Sequence, residues 1–275
     1  VCHHLFAYTG QSIPFLGHLG RLLGVQLFFL ISGYLIVQSA YAYPLSIYVM
    51  RRLLRIFPVY WLLVFGWSAW YGKLHWDRLQ TGWPDFVANL LALTHFVPAA
   101  LFRYDVLTVS WTLSIELAWY LLVPVIVWLA GRWPGRGFWP GLLLTALSIS
   151  SAWVWLAHAG KLDDWYASAI ARAGITPVND FARFAFIVNA FPSQLVFFVM
   201  GCLIWRYQKK LAHVPGWLLL SIAIIFAGWP EQWNHWLSLN PSFASGVGLA
   251  ALFLLVLRQQ RWRLSVLKWL GDVSY

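Results

Sequence analysis

The chain has 275 residues, of which 61% are hydrophobic and only 10% charged, and its formal net charge is +10. Soluble domains carry roughly 45–50% apolar and about 25% charged residues, so lipid must solvate part of this chain and an ordinary soluble fold is excluded. The 20 Trp and 12 Tyr agree, because amphipathic rings collect at membrane interfaces. The expected class is an all-α polytopic membrane protein.

The chain opens at VCHHLFAY, which reads as the tail of an apolar helix, and stops at LKWLGDVSY; no signal peptide is visible, and both ends read as cuts. Windows at about 19–40, 56–71, 110–130, 139–158, 184–205, 214–229 and 243–257 are apolar and long enough, or nearly so, to span at about 1.5 Å per residue. The expectation is a single transmembrane domain over 1–275 with seven full spans and two partial ones, the last starting near 266. The stretch PDFVANLLALTHFVPAALF, 84–102, is interrupted by Asn89, Thr94, His95 and Pro98. It is expected to be re-entrant or interfacial, because irregular backbone is not left facing lipid.

Loop charge supports that topology. If 84–102 does not cross, the segments 51–55, 132–136, 206–210 and 258–268 fall on one side, and all of their charge is Arg and Lys. The opposite side mixes Arg and Lys with Asp77, Asp85, Asp105, Asp163, Asp164, Asp180 and Glu231. A crossing at 84–102 would scatter the cations over both faces, against the positive-inside rule. The net charge is then an inner-leaflet asymmetry, and a nucleic-acid partner is unnecessary. Cys2 and Cys202 lack metal-type spacing and read as packing residues, and no metal is implied.

Polar groups inside the spans are the candidates for chemistry. In GVQLFFLISGYLI, 24–36, Ser32 and Gly33 suit close helix approach. Gln26 and Tyr34 need a polar partner or a water-filled cavity. Arg51, Arg52 and Arg55 follow, with Arg51 and Arg55 one turn apart on a helical face; Pro58 suggests that a helix starts near Phe57, leaving the cluster in a short turn at the surface. Such clusters commonly contact only lipid headgroups, but planar guanidinium forks also suit phosphates. In VSWTLSIELAWYLLVP, 109–124, Glu116 is an acid well inside an apolar span, which marks it as functional. Helical spacing puts Thr112, Glu116 and Tyr120 on one face, with Trp119 beside them. His3 and His4 are ionisable groups near a membrane boundary, and a neutral imidazole is the commonest general base. The His158–Asp163 spacing is discounted as a chance match.

The motifs GVQLFFLISGYLI, RRLLRIFPVYW, SWTLSIELAWYLLVP and LGDVSY, in this order and spacing, resemble the acyltransferase 3 family of integral membrane acyltransferases. The resemblance implies a bundle of about ten transmembrane helices that takes an acyl group, usually acetyl, from acyl-CoA to a carbohydrate hydroxyl. Lipopolysaccharide, exopolysaccharide and peptidoglycan are typical acceptors, and a bacterial inner (cytoplasmic) membrane is the expected location. By position, His4 and Glu116 match the catalytic pattern, and Arg51, Arg52 and Arg55 match the basic motif that would hold the CoA phosphates. Gln26, Ser32, Tyr34, Trp111 and Tyr120 would line the cavity. Gln26 stands where many members have Asp; the family's Arg eleven positions before the His would precede residue 1, and its closing SYxLYLxH motif stops at Tyr275. The rival class is a transporter or flippase of a polar or lipid-linked solute, because an intramembrane carboxylate also suits proton coupling.

Overall fold

The computed structural model describes residues 23–70, 76–104, 110–172, 187, 189–227 and 243–258. Among them all regular secondary structure is helical: α1 Leu23–Ala42, α2 Leu45–Trp70, α3 Trp76–Leu90, α4 Pro98–Tyr104, α5 Ser110–Arg132, α6 Phe138–His158, α7 Asp163–Ala171, α8 Phe191–Leu211, α9 Gly216–Ala227 and α10 Phe243–Arg258. Helices α1, α2, α5 and α6 are long and apolar enough to cross a membrane, and α9 and α10 are shorter apolar helices. The chain is therefore an integral membrane protein of helical class.

Two boundaries differ from the sequence expectation. The arginine cluster does not sit in a surface turn ahead of a helix at Phe57; α2 begins at Leu45 and runs unbroken through Pro58. Pro44 supplies the start, its carbonyl accepting the Tyr48 N–H at 2.9 Å, since proline is pre-organised for the first turn of a helix. Pro58 removes a single N–H, which a span tolerates when neighbouring groups satisfy the freed carbonyl. Similarly, α8 starts at Phe191 and not near 184, following the turn in which Ser193 N–H bonds Ala190 O.

The chain sorts into two compact units, 1–38 with 139–147 and 196–275, and 39–138 with 148–195. In the first, α1 packs on α8 at near backbone contact. A Cβ on Gly33 would fall on the Phe198 carbonyl, and one on Gly201 would fall on that of Leu30. These small residues do what Ser32-Gly33 suggested, letting two helices close on each other. Cys202 packs there, its Sγ donating to Gly33 O at 3.4 Å. At one end of this unit Arg258 donates to the Leu211 and Val214 carbonyls. The close of α10 thus meets the turn between α8 and α9, where Lys209 and Lys210 also lie.

In the second unit α3 runs back along α2. Tyr60 Oη donates to Asn89 O at 2.7 Å, Trp61 Nε1 donates to Leu90 O at 2.8 Å, and the Phe65 and Phe86 rings meet. The end of α3 therefore lies opposite the middle of α2, about 23 Å short of the start of α2 at Leu45, at about 1.5 Å per residue. There the chain breaks out of helix over 91–97, with Ala92 at a φ of 54°, and resumes as α4. Tyr60, Val64 and Ala92 form a buried core with Leu113 and Leu117 of α5 packed against it.

Candidate active site

Two polar groupings are built on α5, both within the second unit. The first lies at its start. Thr94 Oγ1 is 2.9 Å from Ser110 Oγ and 3.2 Å from Ser114 Oγ, and Ser114 Oγ also accepts the His95 backbone N–H at 3.2 Å. The serines are one helical turn apart and so present a hydroxyl row to the 91–97 turn. The His95 ring is wholly buried, 6.1 Å from the Trp111 ring.

The second grouping lies two turns further along α5. Tyr120 Oη donates to Glu116 Oε1 at 2.7 Å, as their one-turn spacing allows. Tyr48 of α2 donates through its hydroxyl to the Tyr120 carbonyl at 3.0 Å. The Arg52 guanidinium sits by both phenol rings, 5.8 Å from the Tyr48 centroid and 5.6 Å from that of Tyr120. Arg51 lies 4.5 Å over the Tyr43 ring. Glu116, Tyr48 and Tyr120 are buried, whereas Arg51 and Arg55 are exposed and Arg52 is intermediate. A short α2–α5 contact therefore carries a carboxylate, two phenols and the Arg52 guanidinium, with Arg51 and Arg55 exposed on the same helix.

Of the residues singled out in the sequence, the structure brings Arg52, Tyr120 and Glu116 together, with Arg51 and Arg55 on the same helix as Arg52. Trp111 stands with the first grouping. Gln26, Ser32 and Tyr34 belong to the other unit. There Gln26 is buried and accepts from Ser245 Oγ at 3.0 Å, and Ser32 is buried. Tyr34 donates to Gln208 Oε1 at 2.9 Å and meets the Phe253 ring edge-on. The partner that a buried amide requires is a serine on α10. His3 and His4 lie outside the described residues. Sequence reasoning did not single out Tyr43 and Tyr48; the signal was present, since a helix started by Pro44 places Tyr48 one turn before Arg52.

The motif order and the joining of Arg52 to the Glu116 site agree with one comparison across the chain. The family model described as an acyltransferase domain, that of the acyltransferase 3 family, matches residues 1–275. The chain belongs to this acyltransferase family. Among curated proteins it is similar to "Nodulation protein 10" of Rhizobium leguminosarum bv. viciae, with 27% identity over 175 residues, covering 56% of this chain and 45% of the relative. It is also similar to "Putative peptidoglycan O-acetyltransferase YrhL" of Bacillus subtilis (strain 168), with 22% identity over 289 residues, 93% of this chain and 43% of the relative. The chain thus spans less than half the length of either relative. No solved structure gives a significant match. Family membership weighs against the transporter alternative.

Proposed function

We propose that this acyltransferase 3 domain moves an acyl group, in the first instance acetyl, from acyl-CoA to a hydroxyl of a cell-surface or exported carbohydrate. The observation that carries this reading is Arg52 of α2 standing beside Tyr120, which is bonded to the buried Glu116 of α5, with Arg51 and Arg55 exposed on the same helix in a chain of this family. The basic face holds the CoA phosphates, which suit guanidinium forks better than ammonium groups. The acceptor oxygen attacks the thioester carbonyl, a C–O bond forms, the C–S bond breaks, and CoA leaves as its thiol with the proton taken from the hydroxyl. His4 is assigned the transfer of that proton on the family resemblance. Glu116 is the described intramembrane carboxylate suited to acid–base work.

The halted α3, the 91–97 turn and the short α4 support a re-entrant reading of 84–102. The positive loops then face the cytosol of a bacterial inner membrane, in a bundle of about ten spans, and the acceptor is approached from outside. The name of the Bacillus relative makes peptidoglycan the first acceptor to try, with lipopolysaccharide as the second.

The test is acetyl transfer by the complete purified protein, from labelled acetyl-CoA to peptidoglycan fragments or lipopolysaccharide offered separately. Label on either glycan supports the proposal. Label on neither, with no saturable binding of acetyl-CoA, overturns it.

A further inference from the structure

Every described Arg and Lys of the first unit lies at the turn between α8 and α9, within two helical turns of it, or is bonded to it. Arg206, Lys209 and Lys210 fall three and four residues apart near the end of α8, so they share a helical face, and all three are exposed. Among the described residues of this unit there is no Asp or Glu to pair with them. Arg258 is committed to the turn itself, donating to the Leu211 and Val214 carbonyls. His213 Nδ1 donates to the Lys209 carbonyl at 2.9 Å, and the Val214 N–H bonds Leu211 O at 3.2 Å. The carbonyls that close α8 are thus met by Arg258 and by the turn's own bonds. The three exposed cations are left for an anion from elsewhere.

The start of α9 supplies the other half of the surface. Trp217 stands in its first turn, seven residues past Lys210, and Trp217, Leu220 and Ile224 follow at helical spacing as an exposed stripe. Tryptophan favours the membrane interface, so a cationic turn beside it stands at headgroup level, with the stripe running into the hydrocarbon. A row of cations above an apolar stripe matches a molecule with a phosphate at one end and acyl chains at the other. A free nucleotide or an acidic peptide would leave the stripe unmatched. A zwitterionic headgroup would bring its own cation to the row. We propose that this turn is a binding site for one anionic phospholipid, its phosphate on Arg206, Lys209 and Lys210 and an acyl chain along Trp217, Leu220 and Ile224. Basic loops in general attract the anionic leaflet diffusely. A turn fixed by Arg258 holds its cations in one place, and so selects a headgroup and saturates. The site is separate from the acyl-CoA reading, whose arginines belong to the other unit.

The test titrates the complete protein, in a neutral detergent, with phosphatidylglycerol or phosphatidylcholine. Bound lipid is counted by native mass spectrometry and stability is read as the melting temperature. Phosphatidylglycerol should be retained as one saturable copy and should raise the melting temperature to a plateau, because a ligand of the folded state stabilises it by mass action. Phosphatidylcholine should bind at least about tenfold more weakly. Arg206→Gln with Lys209→Gln and Lys210→Gln should weaken phosphatidylglycerol binding about 10–100-fold and remove most of its salt dependence. Trp217→Ala should weaken it by a smaller factor and leave the salt dependence in place. If the triple variant does not fold, Lys209→Gln with Lys210→Gln takes its place. Equal binding of the two lipids, a response to phosphatidylglycerol that never saturates, or full affinity in the triple variant would overturn the inference. Displacement of phosphatidylglycerol by CoA would make the row a nucleotide-phosphate site and overturn it too. Binding is read without turnover, so the result stands whichever way the acetyl-transfer assay falls.

Discussion

Glu116→Gln is expected to lower kcat for acetyl transfer by about 10²–10⁴-fold, the range for loss of a positioned acid–base group, without weakening CoA binding. Glutamine has nearly the same shape and can still accept the Tyr120 hydroxyl that Glu116 Oε1 accepts. It carries no charge and cannot exchange a proton, so the substitution isolates the chemistry of the carboxylate from its packing. A purely structural carboxylate would give the opposite result: glutamine would support turnover, and the change would appear in thermal stability. Single-turnover measurement of acetyl transfer, alongside melting in detergent, distinguishes the two.

The second large effect belongs to the exposed pair. Charge-assisted hydrogen bonds contribute about 1.5–3 kcal/mol each, and each 1.4 kcal/mol is about tenfold in affinity. Arg51→Gln with Arg55→Gln should therefore weaken CoA binding about 10²–10⁴-fold. The acetyl group is remote from the phosphates, so kcat at saturating acetyl-CoA should fall much less than KM rises. Lysine at both positions should recover only part of the affinity, because an ammonium is a point charge without the fork. If calorimetry found equal CoA affinity in parent and double-glutamine proteins, the pair would be a lipid-headgroup contact of the ordinary positive-inside kind.

Much of this was legible in the sequence, for physical reasons that can be named. Lipid imposes long apolar helices, so the windows at 110–130 and 139–158 return as α5 and α6 nearly unchanged. The interruptions at Asn89, Thr94, His95 and Pro98 marked the place where α3 ends and the chain turns. The one-turn spacing of Glu116 and Tyr120 foretold their hydrogen bond. The start of α2 was less legible. A charged triplet reads as a loop when hydropathy is the guide, whereas Pro44 and the aromatic residues around the arginines carry the helix 12 residues further back than Phe57, to Leu45.

Individual side-chain directions were not legible at all. Adjacent arginines in one motif look equivalent, and only the tyrosines brought beside them by the α2–α5 packing tell Arg52 from Arg51. Gln26 is a similar case. An amide inside an apolar span called for a polar partner or a water-filled cavity, and the partner is Ser245, more than 200 positions away in sequence.

The most direct test of the central claim is a sealed-vesicle experiment with the complete protein. Labelled acetyl-CoA is presented only on the face bearing Arg51 and Arg55, and peptidoglycan fragments or lipopolysaccharide only on the other. The account predicts label on the glycan, with CoA remaining on its own side and no label transferred by His4→Ala. Movement of solute without acetylation, or acetylation that His4→Ala leaves unchanged, would contradict it.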